Sequence, residues 1–287
     1  MDRLRISVVE YLNTAPLVWG FTEGPLAGKY DLSFTVPSLC AEALRSGQAD
    51  VAVIPAIEYQ RMDDVVVLPG MAIAARDEAR SILVIAKRPI EQARRIALDS
   101  SSRSSAALVR LLCAGRWKIA PEFVDAAPDP EAMLAEADAA LLIGDPALRV
   151  ALRAEASPEE LPVPGYPAVF LYDVAHEWRE MTGRPCVLAM WVARCSAVRP
   201  EVVADFLASR EFGLNHIPEI AAKAAGQLDL PARELERYLR ENIQFSLDEE
   251  SREGLELYFR LCAEAGLTPR AKPLEFAPTS ARVGAAG

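Results

Sequence analysis

Three short stretches concentrate residues able to hold or orient an anion: LDSSSRSSAAL at 98–108, ALLIGDPAL at 140–148 and YLNTAPL at 11–17. In each, an apolar run that reads as a strand ends in small or polar residues, and a helix-start signal follows. A helix N-terminus leaves backbone N–H groups unpaired and carries the positive end of the helix dipole. Ser104 and Ser105 add hydroxyl donors there and Arg103 adds charge, so the first stretch can hold a carboxylate or phosphate. The alternative is plain serine capping, which needs only one hydroxyl.

The second stretch runs from Ile143 into Gly144, Asp145 and Pro146. Glycine lets a ligand approach the backbone. Asp145 reads first as a helix cap with Pro146 at the first helical position, ahead of a catalytic acid. In the third stretch, Asn13 and Thr14 either form the turn and cap of a helix beginning near Pro16 or contact a ligand. Open α/β sheets bind ligands at the carboxyl ends of their strands, which supports a contact, but the stretch by itself reads first as a turn. Glu58, after the apolar run ending at Pro55, is a possible general base but reads first as a paired or solvated carboxylate. His176 and His216 read as structural, and Trp178 and Trp191 as core. No P-loop, GxGxxG, GxSxG or HExxH pattern occurs.

The surrounding pattern alternates strand and helix through two units, which implies βαβ connections and mostly parallel sheets. RISVV, YDLSFTV, ADVAVIP and VVVLPGMAIAA are strands of the first unit, and RRIALD, KIAPEFVDA and ADAALLIG of the second. SILVIAK crosses to the second lobe and CVLAMWVA crosses back. The chain thus divides into lobe 1 (1–85, completed by a helical segment over 190–287) and lobe 2 (86–189), with a ligand cleft between them. PEELPVPGYPAVFLYD reads as irregular, and GLTPRAKPLEFAPTSARVGAAG, 266–287, as a Pro- and Gly-containing tail mobile at its end.

Composition narrows the partners. The 287 residues carry a net charge of −10, which argues against nucleic acid and anionic membranes but not against a small anion held by aimed N–H groups. Two histidines make a histidine-rich metal site improbable, and five scattered cysteines without CxxC spacing read as reduced thiols. MDRLR runs directly into a strand with no signal-peptide pattern, so the expected location is cytoplasmic. The sequence does not fix the oligomeric state.

Taken together and in order, YLNTAPL, SLCAEALRSGQADVAVIPAIEY, LDSSSRSSAAL, ALLIGDPAL and YDVAHEWREMTGRPCVLAMW resemble the chorismate dehydratase family of the futalosine route to menaquinone. The IGDPAL segment favours this family over the related 1,4-dihydroxy-6-naphthoate synthases. The sequence departs from the family pattern at Ala175–His176, where a Gly is expected. The resemblance implies a two-lobed α/β fold of the type II periplasmic-binding-protein kind, with a helical C-terminal segment. It implies dehydration of chorismate with no metal and no cofactor. It also implies roles: Asn13 catalytic, and Ser81, Arg103, Ser104, Ser105, Ile143, Gly144 and Asp145 holding the substrate's carboxylates. The alternatives are the related synthase and a non-catalytic small-anion receptor of the same fold.

Overall fold

The computed structural model describes residues 3–156, 163–166 and 169–279. Its strands are β1 (Arg5–Val9), β2 (Asp31–Thr35), β3 (Val51–Pro55), β4 (Val65–Ala75), β5 (Ile82–Ala86), β6 (Arg95–Asp99), β7 (Glu122–Ala126), β8 (Ala139–Ile143), β9 (Phe170–Asp173) and β10 (Cys186–Arg194). Helices α1 (Ala15–Thr22), α2 (Pro37–Arg45) and α3 (Ala56–Tyr59) follow the first three strands in turn. Helices α4 (Arg103–Leu112), α5 (Pro130–Glu136), α6 (Gly144–Ala156) and α7 (Val174–Thr182) do the same among the later ones. The C-terminal part is α8 (Pro200–Asn215), α9 (Ile217–Leu228), α10 (Ala232–Arg237) and α11 (Glu249–Glu264).

Two five-stranded sheets result, in the orders β2-β1-β3-β10-β4 and β7-β6-β8-β5-β9. The central strands β3, β5 and β8 are unbroken apolar runs, VAVIP, ILVIA and AALLI, because both faces of each are covered. The pairing is more mixed than the βαβ spacing suggested. In the first sheet β1 is parallel to β2 and β3, whereas β10 is antiparallel to β3 and β4. In the second, β6 is parallel to β7 and β8, whereas β5 is antiparallel to β8 and β9. The antiparallel pairs arise where the chain crosses between sheets and enters the new one from the opposite end.

Both crossings differ in detail from the sequence reading. All five residues of β5 belong to the second sheet, so the chain leaves the first within residues 76–81. All of β10 belongs to the first sheet, and the return runs through α7. FLYD at 170–173, expected to be irregular, is the edge strand β9. Of the Pro-rich stretch before it, residues 158–162, 167 and 168 lie outside the described residues, as does the end of the tail from 280 onward.

The core holds the sheets and the C-terminal helices together. One continuous buried cluster includes Val53 and Trp191 of the first sheet, Val84 and Leu141 of the second, and Phe206 of α8. Trp191 meets Phe206 edge to face, with ring centroids 4.7 Å apart. Ser209 Oγ of α8 donates to the Leu17 carbonyl of α1 at 2.9 Å, which fixes the helix that follows the YLNTAP turn. Among the described residues, no helix is long and apolar enough to cross a membrane.

Candidate active site

The carboxyl ends of β1, β3, β6 and β8 and the start of β5 converge on a narrow cavity of about 50 Å³. Its lining includes Tyr11, Asn13, Ser81, Ser102, Ser104, Ser105, Ile143 and Gly144. The sequence-selected residues Asn13, Ser81, Ser104, Ser105, Ile143 and Gly144 therefore meet in one place. Each of them is buried, as are Ser101 and Ser102. No carboxylate, histidine, lysine or arginine is among the described residues that line it. The site is built from hydroxyls, one amide and the N-termini of two helices.

The serine turn is not a simple cap. Ser102 occupies the cap position of α4 but makes no side-chain capping bond. Ser101 instead faces Asp99, whose Oδ1 accepts from its Oγ at 2.6 Å and from its N–H at 2.9 Å. Ser104 Oγ accepts the Ile57 N–H of α3 at 3.2 Å, and the Ser104 carbonyl accepts from Tyr258 of α11 at 3.1 Å. The α4 N-terminus of lobe 2 is thus tied to elements that pack on lobe 1. Its first N–H groups have no side-chain cap and lie beside the cavity.

Arg103 does not join this lining. It reaches Glu58, with Nη1 2.9 Å from Oε2. Glu58 is fully buried and also accepts from Arg61 at 2.7 Å and from Arg45. Burial alone pushes a carboxyl up, but Arg103, Arg61 and Arg45 outweigh it and hold Glu58 below the usual range. This argues against the general-base reading of Glu58 and moves Arg103 from a substrate contact to an ion cluster of half-buried arginines around the buried Glu58. The cause is geometric: the helix turn that aims Ser104 and Ser105 inward carries Arg103 toward α3.

Gly144 and Asp145 also depart from expectation. The Gly144 N–H donates to the Ser81 carbonyl at 2.8 Å and is not free for a carboxylate. Gly144 has φ +64°, and a Cβ there would lie 2.6 Å from the Tyr11 ring. The glycine is needed so that Tyr11, from lobe 1, can lie against lobe 2. Asp145 sits one residue inside α6, and its Oδ1 accepts the Leu12 N–H at 3.0 Å. It bridges the lobes instead of capping its own helix. It lines a second, wider groove of about 380 Å³, which shares Val9 and Tyr11 with the inner cavity.

Burial raises the Asp145 pKa to about 6, opposed by the Leu12 N–H and Arg149 and reinforced by Glu10. The folded protein therefore keeps a proton here that the unfolded chain releases near pH 4. That contribution to stability is complete at low pH and is lost as pH rises through about 6. Asp145→Asn is expected to be more stable than the parent by about 1–3 kcal/mol at pH 7.5, and by less at pH 5. Urea unfolding of both proteins at the two pH values checks this. A pH-independent difference, or a variant less stable at pH 7.5, counts against it.

The two remaining turns are equally specific. Asn13 lies in a 3₁₀ turn, Leu12–Thr14, ahead of α1, and Thr14 occupies the α1 cap position without a side-chain bond. The Asn13 carbonyl oxygen takes only a long bond, 3.4 Å, from the Thr14 hydroxyl. Ser81 follows Arg80, a non-glycine residue at φ +58°. That strained backbone is held by Asp173, which accepts the Ala79 and Arg80 N–H groups as well as those of Ala175 and His176. Ser81 Oγ donates to Ala79 O at 3.3 Å and accepts from Tyr238 Oη at 2.8 Å. Tyr238, Tyr11 and Ser102 were not singled out from the sequence. Tyr238 lies in an apolar helical pattern that signals only burial, and Tyr11 sits within the YLNTAP segment that had drawn notice for Asn13.

The histidines lie elsewhere. His176 Nδ1 pairs with exposed Asp77 at 2.6 Å, and His216 Nδ1 meets the Phe212 carbonyl at 2.7 Å. Neither lines the cavity. Among the described residues no group of three His, Cys, Asp or Glu side chains is placed to hold a metal ion.

A two-lobed α/β protein with a polar cleft at its strand ends has the architecture of periplasmic solute-binding proteins. Solved structures with this fold include a protein of Archaeoglobus fulgidus, with TM-score 0.72, 19% identity and coverage of 92% of this chain and 98% of that one. The aliphatic sulphonate binding protein of Escherichia coli gives a TM-score of 0.60 at 17% identity, covering 94% and 95% of the two chains. The sequence model of the menaquinone biosynthesis family matches residues 4–264, and the chain belongs to that family. A chorismate dehydratase of Thermus thermophilus is 28% identical over 261 residues, covering 88% of this chain and 93% of the relative.

Proposed function

We propose that this protein is a chorismate dehydratase, a carbon–oxygen lyase that converts chorismate into 3-[(1-carboxyvinyl)oxy]benzoate. The observation that carries the proposal is the family match across 4–264 together with a cavity of neutral donors at the ends of two helices. The substrate has two carboxylates. One sits at the α4 N-terminus with the Ser104 and Ser105 hydroxyls, and the other meets Ser81.

The chemistry suits such a site. The ring carboxylate acidifies the ring C–H beside the ether oxygen through the conjugated diene. That C–H bond breaks, its electron pair forms the last ring double bond, and the C–O bond to the neighbouring hydroxyl breaks. Proton and hydroxide leave as one water, and aromatisation supplies the driving force. The protein has to orient the ring, exclude water and stabilise charge on the ring carboxylate. The substrate's own enolpyruvyl carboxylate takes the proton; the absence of a basic side chain from the described lining supports this assignment. The Asn13 amide orients the departing hydroxyl. The protein would thus act on a small molecule, and the proposed site of action is the cytoplasm.

Incubation of the purified protein with chorismate should give an aromatic product lighter by one water, read by mass and ultraviolet spectra. Binding of chorismate without turnover would make the protein a receptor. Inertness toward chorismate combined with turnover of cyclic dehypoxanthinyl futalosine would place it with the naphthoate synthases.

A further inference from the structure

Ser81 is held from a distant part of the chain. Tyr238 follows α10 and opens a π-helical turn, Tyr238–Asn242, closed by the Ile243 N–H on the Tyr238 carbonyl at 3.3 Å. Such turns place side chains where a regular helix does not, and they are frequent at functional sites. Two side chains of this turn reach the crossing segment. Asn242 Nδ2 donates to the Glu78 carbonyl at 3.1 Å, and the Tyr238 hydroxyl donates to Ser81 Oγ at 2.8 Å. The phenol is 1% exposed, so its hydrogen bond is shielded from water.

We infer that Tyr238 is a positioning residue for the dehydration, setting the Ser81 hydroxyl as a donor toward the bound substrate. The inference rests on the function proposed above. A serine hydroxyl rotates to suit its surroundings. With Tyr238 donating to its oxygen, Ser81 must send its own hydrogen elsewhere. In this structure that hydrogen goes to Ala79 O at 3.3 Å, a long bond that a carboxylate oxygen in the cavity readily replaces. Burial keeps the Tyr238 phenol far above its ordinary pKa, so it stays a donor across the working pH range. Tyr238 therefore acts on the Ser81 hydroxyl from a segment that lines none of the cavity.

A double-mutant cycle tests this, using Tyr238→Phe, Ser81→Ala and the pair. Two quantities are read: chorismate turnover, and calorimetric binding of 3-(carboxymethoxy)benzoate, a stable aromatic dicarboxylate. Tyr238→Phe is expected to lower kcat/KM and dicarboxylate affinity by about tenfold in the parent. In the Ser81→Ala background the same change should cost less than about twofold, because its target is gone. Equal losses in both backgrounds, or no loss in either, overturn the inference. Thermal midpoints identify a poorly folded Phe variant. In that case 3-fluorotyrosine at 238, a stronger donor of nearly the same shape, must change dicarboxylate affinity only while Ser81 is present. A parent that binds the dicarboxylate with the expected coupling but leaves chorismate intact refutes the dehydratase reading and leaves the role of Tyr238 standing.

Discussion

Gly144→Ala is expected to lower kcat/KM for chorismate by about a hundredfold while the protein remains folded. Two penalties meet at this position. A side chain at φ +64° is strained whatever its surroundings, and the new Cβ would lie 2.6–2.7 Å from three atoms of the Tyr11 ring. The backbone penalty is about 1–3 kcal/mol and shows as a modest loss of stability. The contact with Tyr11 is expected to have a larger consequence for catalysis, because Tyr11 lines both the inner cavity and the outer groove. Pushing it away admits water to a site whose polar contacts draw their strength from exclusion of water. Adding Tyr11→Ala to Gly144→Ala should then relieve the contact but restore neither turnover nor the stability lost to the backbone strain. Steady-state kinetics and urea unfolding separate the two effects. A Gly144→Ala enzyme within threefold of the parent would show that the ring-on-glycine contact is not a seal.

Asn13→Ala should reduce kcat by about a hundredfold and change KM by less than about threefold, the range seen when one donor to developing charge is removed. The side chain is 8% exposed, and neither it nor Thr14 caps α1. Its amide is therefore not needed to start the helix. A residue that only shapes the turn would behave in the opposite way, with an earlier melting midpoint and normal kcat. Rapid-quench measurement of the first turnover, with melting curves on the same samples, decides between these outcomes.

The elements were legible where the pattern was local. Apolar runs such as VAVIP and AALLI specify buried strands, and the polar residues after them mark the strand ends that gather at the cavity. The antiparallel half of each sheet was not legible, because the spacing of strands does not encode which end of a sheet the chain enters. FLYD was hidden by the prolines before it, although it pairs along its whole length with β5. The position of Asn13 beside the serine turn could be expected from the strand-end rule. The partners of Arg103 and Asp145 could not, since each is chosen by a residue at least 45 positions away: Glu58 for the first and the Leu12 N–H, 133 positions distant, for the second. Tyr238 was the least visible, because an apolar helical period reports that a side chain is buried and not where its hydroxyl points.

The two sheets become available at different moments of synthesis. Every strand of the second lies between residues 82 and 173, with none borrowed from elsewhere. That sheet has all its partners once Asp173 has left the ribosome. The first cannot be completed so early: among the described strands β4 pairs with β10, which ends at Arg194, and its other backbone partners lie later still, at Gln244 and Phe276. Until then the eleven residues of β4, VVVLPGMAIAA, have an apolar surface with no strand beside it. A nascent chain that has emerged only to between 173 and 194 thus carries a complete second sheet, a serine turn still without its Tyr258 partner, and an exposed strand edge open to wrong partners. Chaperone dependence during expression should be highest for chains with β4 but not β10 outside the ribosome, fall once β10 has emerged, and fall again once residues 244–277 have docked.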